Sequence, residues 1–295
     1  MNNKSVISVR NLTKFYGKTT GVKNVSFEVG EGEIFGFLGP NGAGKTTTIR
    51  LLLDLLRPDS GEIFIFDKDL KTNSMSIRKE IGYLPGEFST YSHLSGKDFI
   101  GFLSGIRQKE VKSLPDLLDR FKLNASILDR KTRHYSHGML QKLGIIQAVL
   151  HNPRLLIFDE PTAGLDPLMQ EEFYKLVEEH QKLGATVFFS SHHLYEVEKL
   201  CSRVAIIRDG EIAGLESVGT LKNKAGNILE ILFKEPLDDL QIPGTELLKR
   251  QGNTVILKIS GELQPVLKML AELPVEDVMI SKPDLESVFM NFYRR

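Results

Sequence analysis

Residues 39–46, Gly-Pro-Asn-Gly-Ala-Gly-Lys-Thr, read G-x-x-x-x-G-K-[ST] at every fixed position. Glycines at 42 and 44 let the backbone bend so that successive N–H groups face a single anion. Residues 47–53 can begin a helix, whose unpaired N–H groups and positive dipole end add to that field. The pattern is that of a phosphate cradle running from Gly39 through Pro40, Asn41, Gly42, Ala43, Gly44, Lys45 and Thr46 to Thr47. Lys45 is placed to reach β- and γ-phosphates, and the Thr46 hydroxyl to ligate Mg²⁺. A second constellation follows the apolar run 155–158, which ends in Asp159-Glu160. A carboxylate at a strand end opposite such a loop can hold Mg²⁺ directly or through water, which is the role expected of Asp159. Glu160 points elsewhere and is the candidate to polarise an attacking water. His192 closes another buried run, Phe188-Phe189-Ser190-Ser191. A neutral imidazole there can donate a hydrogen bond to a terminal phosphate. Its neighbour His193 reads as structural.

These groups need a sheet to hold them. Residues 34–38 form an apolar run of strand length, so the loop sits between a strand and a helix, the context its chemistry requires. Residues 5–10 and 22–29 read as strands, and Arg57-Pro58-Asp59-Ser60-Gly61 as a turn into a strand at 62–66. From about 95 to 150 the pattern is helical, ending at Pro153. Run 155–158 is apolar throughout, as in a parallel strand covered on both faces, and Thr186-Val187-Phe188-Phe189 reads as another buried strand. Helices are expected at about 169–183 and 195–201, and Asp209-Gly210 signals a hairpin between 204–207 and 211–213. Strands alternating with helices indicate a largely parallel α/β sheet. After about residue 220 the pattern changes to strands at 228–233, 254–259 and 275–280 and helices at 266–273 and 284–292, a small α+β domain without a chemical motif.

Composition narrows the function. The chain has 295 residues, 41% of them hydrophobic, enough for a sizeable core in one large or two ordinary domains. Lys+Arg and Asp+Glu both number 38, so no basic excess points to nucleic acid as the main partner. Cys201 is the only cysteine, which excludes an internal disulfide and reads as a buried structural thiol. No apolar stretch approaches about 18 residues, so no membrane span is expected. The N-terminus lacks the apolar core of a signal peptide, and neither end carries a lipidation signal. Work at a membrane would therefore require docking on another protein.

With these motifs in this order and spacing, about residues 4–218 resemble the ATP-binding subunit of an ATP-binding cassette (ABC) transporter. The expected fold class is α/β: a P-loop nucleotide hydrolase cassette with a mostly parallel sheet, an N-terminal antiparallel β part and a helical insertion, followed by the small α+β domain. Boundaries follow as 1–220 for the cassette, with a helical subdomain at about 88–152, and 221–295 for the C-terminal domain. In this resemblance Pro161-Thr162-Ala163-Gly164-Leu165-Asp166 corresponds to the D-loop, His192 to the switch histidine and Tyr16 to the aromatic ring that stacks on adenine. Tyr135-Ser136-His137-Gly138-Met139, followed by Leu140-Gln141-Lys142, resembles the signature L-S-G-G-Q. Ser136 can cap the helix that follows, and the start of that helix, at Ser136 and Gly138, can bind an anion. The family's signature meets the γ-phosphate held by a second subunit, so the resemblance implies ATP and Mg²⁺ as cofactors and a head-to-tail dimer. It further implies a separate integral-membrane permease, no nucleic acid, and a peripheral place on the cytoplasmic face of the cell membrane. The C-terminal domain and the stretch Gly82-Tyr83-Leu84-Pro85-Gly86-Glu87 resemble export systems. A soluble ABC ATPase of translation or DNA repair is the alternative, but those relatives carry two cassettes or a long coiled coil. Two departures stand out. His137 and Met139 replace a Gly and the Gln of the signature, and Gly86 stands where the family has a Gln that contacts Mg²⁺ and senses the permease.

Overall fold

The computed structural model describes residues 4–107, 114–225, 227–236, 242–259, 261 and 263–281. The chain divides into two compact units, Met1–Glu216 and Ser217–Arg295.

The first unit begins with an antiparallel hairpin, β1 (Ser5–Tyr16) and β2 (Thr19–Gly30), and enters the core with β3 (Ile34–Leu38), buried at every residue. The loop at 39–44 then leads into α1 (Lys45–Leu52). The expected turn delivers β4 (Ser60–Ile65), which pairs with β1, and the short β5 (Lys68–Asp69) closes that sheet in the order β2-β1-β4-β5. Two elements without a strong sequence signal follow: the largely polar helix α2 (Leu70–Lys79), capped by Asp69, and the four-residue strand β6 (Ile81–Leu84). The helical stretch resolves into α3 (Gly96–Arg107), α4 (Leu114–Arg120), α5 (Ala125–Leu128), a short 3₁₀ turn at Thr132–His134, and α6 (His137–Val149).

The two buried central strands come next. Strand β7 (Leu155–Asp159) is buried throughout, as is β8 (Thr186–Ser191), with α7 (Pro167–Lys182) between them. Helix α7 opens on an Asp166 cap and Pro167 at its first position, and it buries Met169, Phe173, Tyr174, Leu176, Val177 and His180. Helix α8 (Leu194–Leu200) and the hairpin of β9 (Arg203–Arg208) and β10 (Glu211–Ser217) complete the sheet, in the order β10-β9-β3-β8-β7-β6. Strands β9, β3, β8, β7 and β6 run parallel to one another, so β3, β7 and β8 end side by side at the same edge. This topology gathers the phosphate loop, Asp159-Glu160 and His192 at the carboxyl ends of neighbouring strands.

Phe27, Phe35, Phe37 and Phe188 fill the space beneath that edge, with the Phe188 ring centroid 5.3–6.0 Å from the other three. Phe188→Ala is expected to lower stability by about 3–5 kcal/mol. The check is a fall in the urea midpoint of the first unit at unchanged m-value. Cys201 caps the end of α8, and burial pushes its thiol well above the ordinary range, as a structural thiol requires.

The second unit opens with α9 (Val218–Ala225) and contains an antiparallel sheet of β11 (Asn227–Phe233), β12 (Thr245–Gln251), β13 (Thr254–Ile259) and β14 (Val275–Ser281), with α10 (Leu263–Leu270) preceding β14. Its strand order is β12-β13-β11-β14, and Leu229, Ile231, Phe233, Val255, Leu257, Ile259, Val266 and Leu270 form its core. Strand β12 was not foreseen, because an exposed edge strand reading Thr-Glu-Leu-Leu-Lys-Arg-Gln has no alternation to betray it. The helix expected at 284–292 lies outside the described residues.

Candidate functional site

Gly42 and Gly44 take φ of 81° and 110°, the left-handed region that a phosphate cradle needs. A side chain on Gly44 would also strike the Gly21 carbonyl oxygen, 2.7 Å from where its Cβ would lie. The loop is fastened to its neighbours: Gly39 N–H donates to the Ser191 carbonyl at 3.2 Å, and Gly210 N–H to the Ala43 carbonyl at 3.0 Å. A cavity of about 320 Å³ opens above it, lined by Asn41, Gly42, Gly44, Lys45, Thr46, Thr47, Tyr16, Thr20, Gly21 and Glu160. The Tyr16 ring lies over Gly21, close enough that a Cβ there would be 2.8 Å from the ring edge, and the ring is 44% exposed. An aromatic face is thus presented beside the phosphate cradle.

Lys45 is 5% exposed, so its charge must be paired. Its ammonium meets the Gly39 carbonyl at 2.7 Å, the Pro40 carbonyl at 3.1 Å and Glu160 Oε1 at 3.0 Å, one partner for each of its N–H bonds. Glu160 holds its position under strain, with φ of 48°, a region a non-glycine residue enters at a cost of about 1–3 kcal/mol. Its N–H donates to the Ser190 carbonyl at 3.2 Å and to Ser190 Oγ at 3.1 Å, which fixes that turn. The other carboxylate oxygen, Oε2, faces His192 Nδ1 at 3.0 Å. A neutral imidazole making that bond through Nδ1–H has no second proton at Nε2. The same ring can donate to a phosphate only after leaving Glu160 or as the imidazolium.

Asp159 is 1% exposed, and each of its carboxylate oxygens has a partner. Thr46 Oγ1 donates to its Oδ2 at 2.8 Å, and Ser190 Oγ to its Oδ1 at 2.6 Å. Ser190 was missed in the sequence, although two serines ending an otherwise apolar buried strand were its signal. Burial, and secondarily the Asp159 carboxylate, push the Tyr83 phenol up to about 12, so it stays neutral beside the site. A Cβ added at Gly86 would lie 3.4 Å from the Asp159 carbonyl and 3.6 Å from its Oδ2. The position where the family's Gln stands therefore adjoins this carboxylate, and Gly86 leaves that side open.

Ser136 and Gly138 are not among the residues lining the cavity over the phosphate loop. Ser136 caps α6, its Oγ accepting from Met139 N–H at 3.2 Å, and it is exposed. The His137 ring lies on Gly164, where any Cβ would overlap its Cδ2. Gly138 likewise leaves only 2.7 Å between its would-be Cβ and the Gly164 carbonyl. Signature and D-loop thus touch through glycine. Gln141, buried on α6, adds a bond from its Nε2 to the Pro161 carbonyl at 2.8 Å.

A family model described as "ABC transporter" matches residues 22–163. The uncharacterised ABC transporter ATP-binding protein YhcH of Bacillus subtilis (strain 168) is 32% identical over 298 residues, covering 97% of this chain and 95% of its own. The linearmycin resistance ATP-binding protein LnrL of the same strain is 30% identical over 308 residues, covering 98% of this chain and 99% of its own. Among solved structures, an ATP-binding subunit of an ABC transporter is similar with a TM-score of 0.69 at 29% identity, covering 74% of this chain and 92% of that one. A phosphate cradle, a paired acid–lysine–histidine group above it and relatives matched from end to end agree: the chain belongs to the ABC transporter family, as an ATP-binding subunit that hydrolyses ATP.

Proposed function

We propose that this chain is the motor subunit of an exporter, that two copies enclose two ATP molecules, and that the pair drives a separate permease from the cytoplasmic face of a membrane. The observation that carries the chemical part is the Glu160 carboxylate, held between Lys45 and His192 above the loop. With ATP bound, the γ-phosphate takes the Lys45 ammonium, and Glu160 is released to orient and polarise water in line with the bond to be broken. His192 then serves the γ-phosphate, and the Tyr16 face supports adenine.

Mg²⁺ suits the donor set. Thr46 Oγ1 and Asp159 Oδ2 are 2.8 Å apart and offer two oxygens at one point. Among the described residues no cluster of three or more His, Cys, Asp or Glu could hold a metal without the nucleotide. Mg²⁺ favours that arrangement, one or two protein oxygens completed by phosphate and water. When bound it neutralises charge on the β- and γ-phosphate oxygens.

Among the described residues no helix is long and apolar enough to cross a membrane, so attachment through a permease is the reading that fits. The contact surface is the groove between the parallel-sheet core and the helical region, with Gly86 and Glu87 at its edge. In the helical subdomain Tyr91 and Phe102 are 55% and 47% exposed and stand edge to face with centroids 6.0 Å apart, an apolar landing for a short permease helix. Export as the direction is supported by the likeness to LnrL, a resistance protein, over nearly the whole chain. The test is to express the chain with and without a candidate permease and fractionate the cells. It is expected in the soluble fraction alone and in the membrane fraction with its partner. Tyr91→Asp and a bulky residue at Glu87 are each expected to release it while ATP binding persists. A chain that stays soluble beside every candidate permease overturns the proposal.

A further inference from the structure

Glu196 stands in the first turn of α8 and is 4% exposed. An acid buried to that degree needs partners on its oxygens. It has them. Thr162 Oγ1 donates to Oε1, and Ser191 Oγ donates to Oε2 at 2.5 Å. The two hydroxyls belong to the two loops that carry the chemistry, since Thr162 follows Glu160-Pro161 and Ser191 directly precedes His192. Each loop is further anchored. Ser191 Oγ accepts from His193 N–H at 2.8 Å, and the Ser191 carbonyl receives Gly39 N–H of the phosphate loop at 3.2 Å. On the other side, Leu165 N–H donates to the Thr162 carbonyl at 3.1 Å and Ala163 N–H to the Glu160 carbonyl at 3.3 Å. Between the two loops lies a cavity of about 150 Å³ lined by Glu160, His192, Thr162, Ser191 and Glu196 among others. The Glu160 N–H bond to the Ser190 carbonyl joins the two loops at their base, and farther out, across this cavity, the Glu196 carboxylate adds a side-chain tie between Thr162 and Ser191.

We propose that Glu196 is a positioning residue for ATP hydrolysis. Its carboxylate clamps the Thr162 and Ser191 hydroxyls and thereby holds Glu160 and His192 in the mutual register, 3.0 Å between Oε2 and Nδ1, from which they act on the γ-phosphate and its water. This rests on Glu160 and His192 acting there. Glu196 touches neither the nucleotide cavity nor the phosphate loop's side chains, so its loss falls on the chemical step and spares nucleotide binding.

Glu196→Gln preserves volume and removes one acceptor. The amide oxygen can still receive Thr162, while the Ser191 hydroxyl can turn to the His193 carbonyl, 3.2 Å away. The expected result is a fall in kcat of about tenfold, with the Kd for a fluorescent ATP analogue within about twofold and the melting temperature nearly unchanged. Thr162→Val is expected to lower kcat similarly, and Thr162→Val/Glu196→Gln by less than the product of the two, because both remove one coupled network. If Glu196→Gln does not fold, Thr162→Val and Ser191→Ala carry the same test, and each is expected to lower kcat with Kd kept. An unchanged kcat in these variants overturns the proposal. So does a fall in kcat matched by weaker nucleotide binding and a lower melting temperature, since that is the mark of a purely structural acid. Glu160→Gln is assayed beside them: if it keeps turnover, the base assignment fails, whereas if it loses turnover and the Glu196 set does not, only the clamp fails.

Discussion

Glu160→Gln is expected to bind ATP and not to turn it over, with hydrolysis lower by about 10²–10⁴-fold, the range over which a positioned general base contributes. The substitution keeps the shape of the side chain and the bonds from Glu160 N–H to Ser190, so the strained turn at φ 48° is retained. What it removes is the charge that polarises water. It also removes a competitor. Glu160 Oε1 lies 3.0 Å from the Lys45 ammonium, so ATP must displace an ion pair to reach that lysine. An amide competes less well, and the affinity for ATP is expected to be unchanged or tighter. Lys45→Ala is the contrasting variant. It deletes the cation that both the carboxylate and the phosphate use, and it leaves Glu160, only 25% exposed, without its ion-pair partner. It is expected to weaken binding itself. Phosphate release and equilibrium binding of labelled ATP separate the two outcomes, and near-normal phosphate release from Glu160→Gln would remove the base assignment.

The difference between these variants could be anticipated from sequence, because the groups involved sit at the ends of apolar runs. Residues 34–38, 155–158 and 187–189 announce buried parallel strands by being apolar on both faces, and Gly39, Asp159 and, after two serines, His192 follow them. Parallel pairing of β3, β7 and β8 then brings those ends together. Helix α2 and strand β6 were not legible, one being mostly polar and the other only four residues long. Ser190, Gln141 and Glu196 escaped for a different reason. Each is a common polar residue whose importance lies in a partner distant along the chain: Asp159 for Ser190, Pro161 for Gln141, Thr162 for Glu196. For Ser190 the local sequence marks a polar end to a buried strand but not its partner, and for Gln141 and Glu196 no local pattern marks either. The replacement of a signature glycine by His137 is visible as a departure, whereas its accommodation depends on Gly164, 27 residues away and brought to it only by the fold.

Ser136→Arg is expected to abolish ATP-dependent dimerisation and with it turnover, by about 10²–10³-fold, the loss seen when a preorganised anion donor is taken from a reacting site. The chain carries one phosphate loop and one signature. Within a single chain Ser136 and Gly138 do not line the cavity above the loop, while Ser136 is exposed and caps a helix, holding Met139 N–H, whose positive N-terminal end can meet an anion. If that anion is the γ-phosphate held by another copy, a large side chain at 136 keeps the two apart. Loss of the cap alone costs about 1 kcal/mol, too little to unfold a unit of this size, so the variant should still bind ATP through its own loop. Glu160→Gln supplies the reference, because ATP that is not hydrolysed holds the pair closed. On size exclusion Glu160→Gln is expected to shift to dimer when ATP is added, and Ser136→Arg/Glu160→Gln to remain monomeric at saturating ATP. Only the ATP-dependent part of the shift counts, since contacts through the second unit would be present with or without nucleotide. A double variant that dimerises on ATP as readily as Glu160→Gln alone would show that Ser136 lies outside the shared site and that each chain closes on its nucleotide by other means.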